Sequence, residues 1–410
     1  MIEVIGLALL AAAAFGTVAL ALQFVLVVRH RLEQFRKQPE VKLGAAPVGI
    51  SILKPLCGVD DDLEANLAQF ATLSYPRYEV LLGVKDAKDP AYEVARAAVK
   101  RWPKVMRLEL QQGEPGLNPK VNQLITLSAA ARHDILLISD SNVRVGPGYL
   151  EEIAHLFEDP TVGCVSHPVS GIGEQTLGSL MDNLYLSTTA GAGQISAKRV
   201  ANQDIVVGKS MALRREDVES LGGFFSVRNM LAEDYVIGRW VTQRLRKRAV
   251  VARAPIFNVS QRKSVSAFFK RYLRWSITHH TCIPTVVYLG QSLLNPIPWA
   301  LMGAALAPSG QSLGVLGAVT LFKVGTDVAI FRMLRPEPTP WMTAPAVLVK
   351  DALLFVTWVN GLFSRSVDWR GNKLRVLPGS RLVPPATHLP LGEEPLEEAE
   401  SEPANELLAG

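Results

Sequence analysis

The chain has 410 residues, 48% of them hydrophobic, a net charge of +5 and a mean hydropathy of +0.17; a soluble protein of that length is usually two or more domains of lower hydropathy. Lys and Arg cluster beside a few apolar blocks, which fits anionic membrane surfaces and phosphates better than a nucleic-acid stripe. Cys57, Cys164 and Cys282 stand too far apart for a disulfide framework or a zinc site and suit a reducing compartment.

Val4 to Val28 is an apolar run with Gln23 as its one clearly polar interruption. At about 1.5 Å per residue it is long enough to cross a hydrocarbon core of about 30 Å. The Met-Ile-Glu start lacks the basic flank of a cleaved signal peptide and the run is too long for one, so residues 1–30 are expected to form a retained transmembrane anchor. Arg29, His30, Arg31, Arg36 and Lys37 follow it. Such basic flanks stay cytoplasmic, so the next domain is expected to face the cytoplasm. The Ala-rich, acidic style points to a bacterial chain and an inner membrane.

After a short linker, Val48–Leu53, Val80–Val84 and Ile135–Ile138 read as buried strands, the last ending at Ser139 and Asp140. A helical stretch opens near Asp61 and Asp62, with apolar Leu63, Leu67 and Phe70; Ala91–Arg101 and Lys120–Ala131 are two more helical patterns. Alternating strands and helices predict an α/β domain with a doubly wound, mostly parallel sheet over residues 45–260. Ligands of such sheets bind beyond the carboxyl ends of the strands, where Asp86 and Asp140 fall.

Residues 261–281 read as an amphipathic interfacial segment, and 282–365 as membrane helices built from Ile283–Ala307, Leu313–Phe331 and Trp341–Phe363. Pro284, Pro296, Pro298 and Pro308 break the first of these, predicting a re-entrant or kinked pair. Lys350 and Asp351 fall within the third, where charge is costly at mid-bilayer, so that helix is expected to lie in the interface or to face protein. Arg365, Arg370, Lys373 and Arg375, in or beside the basic stretch 366–390, call for the cytoplasm, yet three full spans after a cytoplasmic domain would end outside. The Glu- and Pro-rich tail, 391–410, reads as solvated and disordered.

Transfer from a nucleotide-sugar has three physical needs: positive charge for the donor diphosphate, a base for the acceptor hydroxyl, and partners for the departing diphosphate. Asp86, after the strand LLGV, suits a uracil or ribose; taken alone it reads better as a loop Asp starting a turn before Pro90. Asp140 and Asn142 form an incomplete Asp-x-Asp pair, in which Asn supplies a carbonyl oxygen to Mg²⁺ or Mn²⁺ at lower charge. Glu233 and Asp234 open an apolar helix, as first-turn acids often do; Asp234 is equally placed to be a catalytic base. Arg271 and Arg274 share a helix face in FFKRYLRW and could grip a diphosphate beside Trp275, or form a basic amphipathic helix at the membrane surface. Gly208-Lys209-Ser210 is no P-loop, because Gln203 stands where its first glycine belongs; Gly208 instead lets backbone approach a ligand. His279 and His280 sit at the membrane boundary with no assigned role.

In order along the chain, ISILKPLCGVDDDLEANL, YPRYEVLLGVKDAKDPA, GLNPKVNQL, ISDSNVRV, LAEDYVIG, RYLRW and WRGNKLR resemble the ceramide glucosyltransferase family, inverting family 2-like enzymes with the GT-A fold. The resemblance spans Ile50 to Arg375. It implies that Asp86, Asp140 and Asp234 are the three family aspartates, with Asp234 the base, and that Arg271, Arg274 and Trp275 are the (Gln/Arg)-x-x-Arg-Trp signature. Lys120, in GLNPKVNQL, and Gly208 join the donor-binding set. UDP-glucose is the implied donor, a divalent metal the cofactor, and the primary hydroxyl of a ceramide-like lipid in the bilayer the acceptor. YLSTTAGAG, Tyr185 to Gly193, departs from animal members, which carry a His there.

Overall fold

The computed structural model describes residues 1–35, 47–201, 206–369 and 372–385. Arg36, Lys37, Gln203, Arg370 and the acidic tail lie outside the described residues.

Seven strands form the central sheet: β1 (Ile50–Pro55), β2 (Tyr78–Val84), β3 (Met106–Leu110), β4 (Ile135–Ser139), β6 (Val162–Ser166), β8 (Ser210–Arg214) and β9 (Arg248–Val251), in the order β3-β2-β1-β4-β8-β6-β9. The run from β3 to β4 is parallel, as predicted. The strand β8 enters antiparallel between β4 and β6. The short edge strand β3 escapes the sequence reading because only Met106 in it is fully buried. Strand residues alternate between two cores. Ile50, Ile52, Val80, Leu82, Ile135 and Leu137 face the helices Leu63–Ala71 and Ala91–Arg101. Leu53, Leu81, Leu136 and Ile138 face Pro119–Ala130 and Glu233–Gln243. Both faces of a parallel sheet must be covered in this way. Helix Pro119–Ala130 starts where Asn118 Oδ1 accepts the Lys120 and Val121 amides, with Pro119 at the first turn. That cap places Lys120 at the sheet's carboxyl end.

A second, three-stranded sheet, in the order β5 (Val143–Arg144), β10 (Ile256–Val259), β7 (Val169–Ile172), covers that end. The stretch Tyr185–Gly193 contains a π-helical turn, Leu186–Gly191.

Three helices are long and apolar enough to cross a membrane: Ile2–Gln34, Gly310–Leu334 and Thr343–Phe363. The proline-broken block forms two short helices, Thr285–Gln291 and Pro296–Leu306, as its prolines predict. It runs antiparallel to the anchor: Cβ atoms built on Gly16 and Gly6 would fall 2.0 Å from the Leu293 carbonyl oxygen and 2.8 Å from Ala307. Gly310–Leu334 runs back, with Ile330 and Leu334 packed on Val27. Thr343–Phe363 then follows Val265–Cys282 along its length. Ala346 and Val347 pack with Phe268 and Tyr272, and the Gly361 carbonyl faces His280 Nδ1 at 3.0 Å. Lys350 and Asp351 are buried, facing protein. The closing strands β11 (Ser366–Trp369), β12 (Asn372–Leu377) and β13 (Arg381–Val383) return to the α/β domain, where the Leu231 amide donates to Ser380 O (2.8 Å) and the Leu382 amide to Asn229 O (2.7 Å).

Candidate active site

The carboxyl ends of β4 and of the loop before β8 meet over helix Pro119–Ala130, and three lysines converge there on Asp140. Lys120 Nζ lies 3.2 Å from Asp140 Oδ1 and Lys209 Nζ 3.1 Å from Oδ2. Lys54 Nζ donates to the Asp140 carbonyl at 2.9 Å and to Ser139 Oγ at 3.0 Å. Burial works to raise the Asp140 carboxyl, but Lys120 and Lys209 hold it well below the usual carboxylate range. Lys54 is fully buried over the Phe70 ring, and burial pushes its ammonium down to about 7 despite Asp140. Lys209 is also lowered by burial, with Asp140 opposing the shift. For Lys120, burial is outweighed by Asp140, Glu233 and Asp234, and its proton is held more tightly than usual.

Lys120 joins Asp140 to the Glu233–Asp234 pair. Its Nζ is 3.0 Å from Glu233 Oε1 and donates to Gly208 O at 3.4 Å. Gly208 in turn donates its amide to Asp234 Oδ2 at 2.6 Å, and the Tyr235 amide reaches Oδ1 at 2.8 Å. Gly208 thus brings backbone close to Asp234. Glu233 is buried, whereas Asp234 is only half-buried. Burial first, then the neighbouring Asp234 charge, raises the Glu233 carboxyl against the pull of Lys120.

The signature helix, Val265–Cys282, contributes Arg271 and Trp275 to the same region. Arg271 Nη1 lies 3.6 Å from the fully buried Asp182, which also receives Lys263 and, at 2.7 Å, the Tyr272 hydroxyl. Burial works against the Arg271 charge; Asp182 outweighs it, and the charges of Asp140 and Asp60 add to the effect. Trp275 stacks its ring 5.1 Å from the Arg271 guanidinium carbon and meets Tyr185 and Tyr272 edge-on. Arg274 is half-buried one turn further on.

Asp86 is set apart from this cluster. It is exposed, and its Oδ1 closes a local turn by accepting the Lys88 amide at 2.7 Å. Its strand, β2, is separated from β4 by β1 alone, roughly 10 Å at about 4.8 Å per strand spacing. The structure therefore brings Asp140, Lys120, Gly208 and Asp234 into one hydrogen-bonded group and leaves Asp86 at the rim of the same sheet edge. Lys54, Lys209 and Asp182 were missed by the sequence reading. Lys54 had a signal, a lone cation inside the apolar strand ISILKP.

Residues 8–382 match the description "Glycosyl transferase family 21". The chain belongs to glycosyl transferase family 21. It is similar to ceramide glucosyltransferase 3 of Caenorhabditis elegans, at 24% identity over 374 residues covering 89% of this chain and 80% of the relative. Ceramide glucosyltransferase 1 of the same organism is 26% identical over 84% of this chain and 77% of its own. Among solved structures, a mannosyltransferase of Pyrobaculum calidifontis in complex with GDP-Man and Mn²⁺ aligns with 88% of this chain and 99% of its own, at 16% identity and a TM-score of 0.46. Family 21 membership makes this a sugar-transferring enzyme, and within that family the Asp140–Lys120–Asp234 group is its candidate catalytic centre.

Proposed function

We propose that this chain transfers glucose from UDP-glucose to the primary hydroxyl of a ceramide-like lipid, with inversion, at the cytoplasmic face of a bacterial inner membrane. The observation that supports the reading best is the linkage of Asp140 to Asp234 through Lys120 and Gly208, beside a helix that carries Arg271 and Trp275. In this reading Asp234 takes the acceptor proton as the acceptor oxygen attacks the anomeric carbon from the face opposite UDP. The bond from that carbon to the UDP oxygen breaks, and UDP leaves with the electron pair. Lys120, Arg271 and Arg274 stabilise the charge that gathers on its diphosphate. Asp86, two strands away, reaches the uracil or ribose. The glucose and the ceramide are the donor and acceptor that the relatives' names give.

The divalent cation expected between Asp140 and Asn142 meets a side chain there. Both oxygens face the Lys209 ammonium, at 3.1 and 3.4 Å. The two residues therefore do not fit as ligands of a resident ion.

The test supplies the purified full chain, in lipid nanodiscs, with radiolabelled UDP-glucose and ceramide, diacylglycerol or hopanoid in turn, and identifies products by chromatography and mass spectrometry. The expected product is β-glucosylceramide. Transfer to another lipid with none to ceramide overturns the acceptor, and no transfer from any UDP-sugar overturns the reading as a whole.

A further inference from the structure

The position of Lys209 is set by the backbone. Strand β8 pairs with β4 so that Ser210 lies opposite Ser139, and the Asp140 amide donates to the Lys209 carbonyl at 3.4 Å. The register of the sheet thus delivers the Lys209 side chain, 7% exposed, to the mouth of the Asp140–Asn142 pair. Asn142 is fixed from its other side, where its carbonyl accepts the Val259 amide at 2.8 Å. Relative to an Asp-x-Asp pair this arrangement has one negative charge fewer and one positive charge more. Both changes disfavour a divalent ion at that position and leave its electrostatic task to a side chain. Lys120 and Lys54, on the same aspartate, add to the positive field.

We infer that Lys209 is a built-in cation for the donor diphosphate, and that this chain binds its nucleotide-sugar without a divalent metal. The inference rests on the nucleotide-sugar reading above and adds how the diphosphate is held. An ammonium offers a point charge with rotatable donors to phosphate oxygens. Releasing its hold on Asp140 when the diphosphate arrives costs little if Lys120 stays on that carboxylate.

The experiment measures UDP binding by calorimetry on the detergent-purified full chain, in EDTA and then in MnCl₂, for the parent and for Lys209→Met. The parent is expected to bind UDP with the same affinity, within about twofold, in both buffers. Lys209→Met is expected to lose about tenfold or more in EDTA, the scale of one charge-assisted contact, and to recover it with Mn²⁺, because Asp140 and Asn142 are then free to coordinate. Spin resonance of Mn²⁺ titrated into the parent with UDP needs no variant, and free aqueous Mn²⁺ should persist. Binding by the parent that appears only with Mn²⁺, one Mn²⁺ taken up per chain, or a Lys209→Met protein that matches the parent in EDTA overturns the inference while leaving the donor reading intact. No UDP binding in either buffer overturns both.

Discussion

Gly208 has no room for a side chain. A Cβ there would lie 2.8 Å from Asp234 Oδ2 and 3.0 Å from its Cβ, because the glycine amide is already donated to that oxygen. Gly208→Ala should therefore push the Asp234 carboxylate off its position. A displacement near 1 Å costs about 100-fold in turnover, so steady-state kinetics should show kcat falling on that scale while UDP affinity changes little. Asp140 and Asp234 were legible as candidates because their neighbours declare a strand end and a helix start, Gly208 because a glycine lets backbone come close, and Lys120 only through the segment GLNPKVNQL. Lys209 and Asp182 were not. The meaning of Lys209 depends on which strand lies beside β4, and β8 arrives there from far along the chain in the antiparallel sense. Asp182 is the one charged residue in the helix Leu177–Tyr185, and it matters only once Val265–Cys282 has packed against it.

At the scale of elements, four buried charged residues of two apolar helices form a closed set. Lys323 pairs with Asp327 at 2.7 Å, Lys350 reaches Asp327 at 3.2 Å and also pairs with Asp351, and Lys323 lies 3.7 Å from Asp351. Two lysines and two aspartates, all buried, balance within one contact between helices Gly310–Leu334 and Thr343–Phe363. The sequence predicted that Lys350 and Asp351 face protein or interface, but their partners one helix earlier could not be read without the packing. Removing one member strands its neighbours in a low-dielectric setting, a loss of about 3–5 kcal/mol. Lys350→Met should lower the thermal unfolding midpoint in detergent, and a Lys350→Met/Asp351→Asn double variant should be less destabilised than the sum of the single changes. The proline-broken block was legible, since proline removes a helix donor wherever it falls.

At the scale of the whole molecule, an odd number of apolar blocks after a cytoplasmic domain turns attention to where the last long helix ends. The broken block runs out along the anchor and Gly310–Leu334 runs back. Both ends of Thr343–Phe363 then rest on the signature helix, and the closing strands dock on the catalytic domain. Apolar length does not separate crossing a bilayer from lying against it, and the packing on the signature helix predicts the second for Thr343–Phe363. Cysteines placed at Ser309 and Ser364 should accept a membrane-impermeant maleimide from opposite sides of sealed vesicles, with Ser364→Cys on the catalytic side. Labelling of both from one side would contradict this arrangement. The sheet, by contrast, was legible over β1, β2 and β4, whose buried strands announce themselves.

The most direct measurement compares Asp234→Asn with the parent in both transfer and nucleotide binding. With the carboxylate lost and its shape kept, sugar transfer should fall by about 100-fold or more, the range of a general base, while UDP affinity stays within about twofold, far less than one tenfold step of binding energy. Transfer at the parent rate would show that the proton leaves by another route and that the Asp140–Lys120–Asp234 group is not the catalytic centre.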